Sequence, residues 1–226
     1  MFRVSYVTCC FLVCVGVVAG CSSAQSGAPP SPPGTETGVD GGSDATFDET
    51  SAYPSGPFGG ATGETLADVV VSGYRLSPAQ TDSTKLTWET NIRLADFHNN
   101  AACKCLYIAF GGRWCGACRQ EQATMIEWVN KDPAFCVLGI LQDGMREHVD
   151  ATRDDVDLWT QEFRQNFTVV AGNSKTWSFT ESYRDKDGNV GMPISLVVKP
   201  STMKVVGHDI GTSPLLYNSA VAECKK

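Results

Sequence analysis

Cys115 and Cys118, separated by two residues, are the part of this chain best placed to do chemistry. The stretch Trp114-Cys115-Gly116-Ala117-Cys118 lies between a short apolar run at 106–110 and a segment with helical periodicity. At a strand-to-helix turn, cysteines at this spacing close a small disulfide ring. The first sulfur then sits on the helix N-terminus, where free N–H groups and the dipole favour a thiolate. A sulfur held that way is suited to accepting and donating disulfides.

The elements that must position this pair can be read around it. Residues 106–110 read as a buried central strand. A helix starts at the motif and runs to about Asn130, with Met125, Ile126 and Val129 on one side, and Asp132-Pro133 ends it. Residues 135–141 form an unbroken apolar run of the kind used in parallel sheets. A second helix has Thr152 as N-cap and Asp154, Asp155 and Asp157 in its first turns. Val156, Trp159, Phe163 and Phe167 then recur at helical spacing. Residues 192–199 and 203–207 read as a strand pair joined by Pro200-Ser201-Thr202. A last helix has Ser213 as cap and Pro214 at its first position, and runs to Glu223. Ahead of the motif, 69–71 and 84–88 read as short strands of an N-terminal hairpin region. Residues 92–94 lead into a short turn or helix at 95–99. The order implies a three-layer α/β domain: a central mixed sheet, flanking helices and an N-terminal β extension.

The ends and composition bound the rest. Residues 1–21 read as a targeting segment, with Arg3 as its positive start and an apolar stretch at 4–19, short of the roughly 20 residues a spanning helix needs. Val18-Ala19-Gly20-Cys21 resembles a bacterial lipobox, with Cys21 the lipidated residue. An ordinary signal peptide or a retained anchor would equally export the chain. Residues 22–63 are rich in Gly, Ser, Pro, Thr and Asp and are expected to be a disordered tether. Its ends would lie roughly 35 Å apart. The folded domain is expected at 64–226.

The net charge of −7 disfavours nucleic acid as a partner. Glu36, Asp40, Asp44, Asp48 and Glu49 place much of that charge in the tether. Of the ten cysteines, Cys9, Cys10 and Cys14 fall in the targeting segment and Cys21 would carry the lipid. Cys103, Cys105, Cys115, Cys118, Cys136 and Cys224 remain, an even set consistent with one redox pair and two structural bonds in an oxidising compartment. Cys105 and Cys136 open strands expected to be neighbours. A bond from Cys136 to one of Cys103 and Cys105 is therefore feasible, with the other pairing to Cys224.

The stretch 106–118 (LYIAFGGRWCGAC) resembles the active-site strand and turn of thioredoxin-fold proteins. The wider pattern is similar to the extracytoplasmic TlpA/ResA-like thiol–disulfide oxidoreductases. The supporting residues are Ile92-Arg93-Leu94-Ala95-Asp96-Phe97, Cys118-Arg119-Gln120-Glu121, and Gly191-Met192-Pro193 preceded by Lys186-Asp187-Gly188-Asn189. The resemblance covers about 64–208. It implies a thioredoxin-like fold, a cis peptide before Pro193, Cys115 as nucleophile, Cys118 as resolving thiol, and a substrate groove shaped by Trp114, Met192 and Pro193. The substrates it implies are protein thiols and disulfides, with an envelope electron donor and no cofactor. Thioredoxin has a buried Asp six residues before the first cysteine, where this chain has Ala109. Asp143 and Glu121 are therefore the candidates for proton transfer. The Gly-Ala pair between the cysteines leaves the direction of electron flow open.

Competing chemistries fit less well. Zinc on Cys103, Cys105, Cys115 and Cys118 would need ligands at both ends of a buried strand. Copper delivery of the Sco type would want three residues between the cysteines. A c-type haem needs a histidine where Arg119 stands, and a peroxiredoxin-type site needs a Pro-x-x-x-Thr-x-x-Cys pattern that is missing. Asp185-x-Asp187-Gly188-Asn189 reads as a turn rather than a calcium loop. His98, His148 and His208 are assigned no role. The remaining alternative is a non-catalytic envelope binding or scaffold lipoprotein with a structural Cys115–Cys118 bond.

Overall fold

Alternation along one central strand sets the architecture. In the computed structural model, which describes residues 52–211 and 214–224, the strands are β1 (Val70–Tyr74), β2 (Glu89–Arg93), β3 (Cys105–Gly112), β4 (Phe135–Asp143), β5 (Thr168–Ala171), β6 (Ile194–Lys199) and β7 (Lys204–Ile210). The helices are α1 (Gly116–Lys131), α2 (Arg153–Phe163), the single turn α3 (Ser174–Trp177) and α4 (Pro214–Cys224). The targeting segment with Cys21, the tether up to residue 51 and the Ser213 cap lie outside the described residues.

The sheet order is β2-β1-β5-β4-β3-β6-β7. β3, β4 and β5 run parallel, and the remaining pairs are antiparallel. Along β3, Leu106, Ile108 and Phe110 enter one buried cluster, while Cys105, Tyr107 and Ala109 enter another on the opposite face. Period-two alternation with both faces buried marks the central strand of a three-layer fold. On the second face Tyr107 meets Trp128 of α1 edge to face at 5.3 Å.

Three sequence expectations are corrected, and one strand was not anticipated. The expected strand at 84–88 is instead a 3-10 turn at Ser83–Lys85, capped by Asp82, whose carboxylate accepts the Thr84 N–H at 3.1 Å. Short polar side chains here compete with a strand ladder. Phe167 is not on the second helix. α2 stops at Phe163, Arg164 turns left-handed at φ 50°, and Phe167 leads into β5. β5 was not anticipated, because four residues carry too little periodicity. Residues 52–63 pack on the domain rather than belonging to the tether. The Tyr53 hydroxyl donates to Leu66 O at 2.8 Å, and the Tyr183 hydroxyl donates to Gly60 O at 2.6 Å. Two aromatic anchors outweigh the polar composition that suggested disorder.

Disulfides close the pole where β3 and β4 begin. Cys103 pairs with Cys136 and Cys105 with Cys224, with Cα separations of 5.6 and 5.3 Å. Cys105 and Cys103 belong to opposite faces of the sheet.

Candidate functional site

The opposite pole, where β3 ends, carries Cys115 and Cys118. Two glycines allow the chain to pass there. A Cβ on Gly111 would stand 3.3 Å from the Cys118 sulfur, and one on Gly112 would stand 2.6 Å from Trp114 Nε1. Cys115 is the N-cap of α1, and its Sγ accepts the Cys118 N–H at 3.0 Å. The two cysteines form a disulfide with a Cα separation of 5.3 Å. The sulfur thus replaces the oxygen that usually caps a helix, facing the positive end of its dipole.

Both cysteines are covered in this disulfide state. Cys115 is 3% exposed and Cys118 is 1% exposed. The chemistry expected of Cys115 needs a reachable sulfur, whereas here the residue is covered. Met192 packs against the same cluster. Pro193 follows a cis peptide bond and precedes β6, whose Ile194 pairs with Phe110 next to Gly111. Trp114, Met192 and Pro193 therefore meet at the same end of the sheet as the cysteine pair.

A groove of about 290 Å³ opens beside Trp114, the residue before Cys115, lined by Trp114, Asp143, His148, Trp177, Arg184 and Met192 among others. Trp114 is 38% exposed there. Its Nε1–H donates to Asp143 Oδ2 at 3.0 Å, and the His148 backbone N–H donates to the same oxygen at 3.2 Å. The other Asp143 oxygen is buried without a hydrogen-bond partner. Arg113 donates to Asp155 at 2.9 Å and ties the turn before Trp114 to the start of α2.

The two proton-transfer candidates stand in different places. Asp143 belongs to the Trp114 side, in the groove wall. Glu121 belongs to the Cys118 side. Both Cys118 and Glu121 border an internal cavity of about 20 Å³, together with Ala109, Gly111 and Trp159. That volume is room enough for one water. Glu121 is buried and accepts the Tyr107 hydroxyl at 2.8 Å. Burial pushes its carboxyl above the ordinary range, and the Tyr107 hydroxyl pulls only partly against it.

No protein-family model matches the chain, and no curated protein matches it in sequence. Solved structures do match. One described as thiol:disulfide interchange protein DsbE from Chlorobium tepidum superposes with a TM-score of 0.51 at 22% identity, covering 74% of this chain and 99% of that one. AhpC from Enterococcus faecalis gives 0.53 at 12% identity, covering 73% and 92%. The thioredoxin domain of a thiol-disulfide oxidoreductase from Bacteroides vulgatus gives 0.48 at 21% identity, covering 73% and 98%. The fold is thioredoxin-like.

Within this thioredoxin-like frame, sequence reasoning missed several groove residues: Trp177, Arg184, Glu147, His148 and Asp150. They come from α3, the segment after the 3-10 turn Ser178–Tyr183, and the loop between β4 and α2. None had a local signal, because only the tertiary fold brings these segments beside Trp114. Tyr107, the partner of Glu121, was read simply as strand core. Cys103 and Cys105, weighed as zinc ligands with the motif, lie at the far end of β3 in their own disulfides.

Proposed function

We propose that this chain is an exported thiol–disulfide oxidoreductase, acting on protein thiols and disulfides through Cys115 and Cys118. The observation that carries the reading is the placement of the Cys115 sulfur. It caps α1 on the Cys118 N–H, with Cys118 close enough to close the ring. In the reduced protein that N–H and the helix dipole would stabilise a Cys115 thiolate. The thiolate attacks one sulfur of a substrate disulfide, whose S–S bond breaks and releases a substrate thiolate. Cys118, losing its proton, attacks Cys115 and expels the second substrate thiol. Two electrons pass to the substrate, and the pair ends in the disulfide form described here. Glu121, across the small cavity from Cys118, is the base best placed to take that proton, and Asp143 is reassigned to holding Trp114.

Export is supported by the targeting pattern ending at Cys21 and by the assignment of all six remaining cysteines to disulfides, which suits an oxidising compartment. A lipid anchor at Cys21 would hold the domain at the cell envelope, facing the periplasm and supplied by an envelope electron donor. The burial of Cys115 favours a second reading, a scaffold lipoprotein whose motif is a structural bond. One pair of variants separates the two. Under the proposal, Cys115→Ala abolishes exchange with a model disulfide and Cys118→Ala accumulates mixed disulfides, read by mass spectrometry. Undiminished exchange in Cys115→Ala, or no activity in the wild type, overturns it.

A further inference from the structure

We infer that the groove beside Trp114 selects disulfides flanked by cationic residues, so that the substrates are basic peptide segments and anionic thiols are disfavoured. This inference rests on the thiol–disulfide reading above. Three carboxylates line the groove, those of Asp143, Glu147 and Asp150, against one guanidinium, Arg184, and one imidazole, His148. Arg184 has little charge to offer a ligand. Its Nε and Nη2 donate to the Glu181 carboxylate at 2.6 and 2.9 Å, and its Nη1 donates to Gly188 O at 2.6 Å. His148 lies 3.8 Å from Glu147, so any charge it carries is matched by that neighbour. Among the described residues neither Asp143 nor Asp150 pairs with a cation. Asp143 is only 1% exposed, its two donors are neutral N–H groups, and one of its oxygens has no donor at all.

A buried carboxylate in that condition is costly unless positive charge comes close. The concave wall concentrates its field on whatever enters the groove. The aromatic surface suits the same occupant. The Arg184 guanidinium already lies over the Trp177 ring at 5.9 Å, which leaves Trp114 as the half-open ring for a second cation. A Lys or Arg next to the reacting cysteine would lay its stem on Trp114 and Met192 and bring its charge toward Asp143.

The test mixes the reduced protein with three peptide disulfides that differ only beside the cysteine: Arg/Lys, Ser/Gln or Glu/Asp. The second-order rate of protein oxidation is followed by tryptophan fluorescence. At low ionic strength the cationic peptide should react at least about ten-fold faster than the anionic one. The ratio should shrink toward unity in 0.5 M salt, where the screening length is about 4–5 Å. The double variant Glu147→Gln/Asp150→Asn and the single variant Asp143→Asn should each reduce the ratio as well. Equal rates for the charged peptides, or faster reaction of the anionic one, overturn the inference while leaving disulfide exchange intact. Failure to react with any of the three, the neutral peptide included, removes the reading on which the inference rests.

Discussion

Glu121 makes the clearest single-residue case in this molecule. It is buried beside Cys118, accepts the Tyr107 hydroxyl, and faces no cation among the described residues. Burial raises its pKa above 4.5, and repulsion from Asp209 acts in the same direction. A raised acid favours the folded state while protonated. Its contribution is fully present below the unfolded value, about 4.3, and is lost as pH rises through the folded value. Wild-type stability relative to Glu121→Gln should therefore be highest near pH 4 and should decline above it, as measured by urea unfolding of the oxidised proteins across pH. A difference that stays flat with pH would mean that folding does not raise the Glu121 carboxyl. In exchange assays the same substitution should slow resolution of the mixed disulfide more than its formation, because the carboxyl lies on the Cys118 side.

Elements, unlike single residues, were legible where the sequence carried a periodic or capping signal. α1, α2, β3, β4 and the last strand pair all had one. Thr152 as N-cap is the sharpest example: its hydroxyl accepts the Asp155 N–H at 3.2 Å, and Asp155 accepts the Thr152 N–H in return at 2.9 Å. β5 and α3 were not legible, since each is four residues long and held by neighbours rather than by its own pattern. The groove was hidden for the same reason, with Trp177 and Arg184 reaching Trp114 only through the fold. Asp155 also joins α2 to the turn that carries Cys115 through Arg113. Burial opposes its ionisation, but the Thr152 donors and the Arg113 guanidinium outweigh that and hold its carboxyl below the usual range. Its contribution is present above the unfolded pKa and is lost as pH falls through the folded one. Asp155→Ala removes the return half of the capping box and leaves the Arg113 guanidinium without its carboxylate, so it should lower stability by about 2–4 kcal/mol. Thr152→Ala removes the cap alone and should cost about 1 kcal/mol. Chemical denaturation at neutral pH measures both, and equal costs would show that the Arg113 link contributes nothing.

At the scale of the whole molecule, the three disulfides among the described residues divide the work between the two poles of the sheet. Cys105–Cys224 spans 119 residues of sequence, Cys103–Cys136 spans 33, and Cys115–Cys118 spans 3. If cross-links act mainly by restricting the unfolded chain, their worth grows with the logarithm of the loop: about 5, 4 and 1.5 kcal/mol respectively. The sheet-start pair should therefore act as staples. The motif bond contributes least to folding and is the one most easily opened without loss of structure. Cys105–Cys224 also fixes α4, whose Tyr217 stacks on Trp128 at 4.9 Å, so its loss should loosen the face that α1 covers. Three double alanine variants, each removing one bond, should rank in guanidinium unfolding with 105/224 the most destabilised, 103/136 next and 115/118 nearest to wild type. The ranking is a stronger test than any one value, because native-state strain changes individual costs but has no reason to reproduce an order set by loop length. If the 115/118 variant were the least stable of the three, the motif bond would be a structural member, and the scaffold reading would replace exchange chemistry.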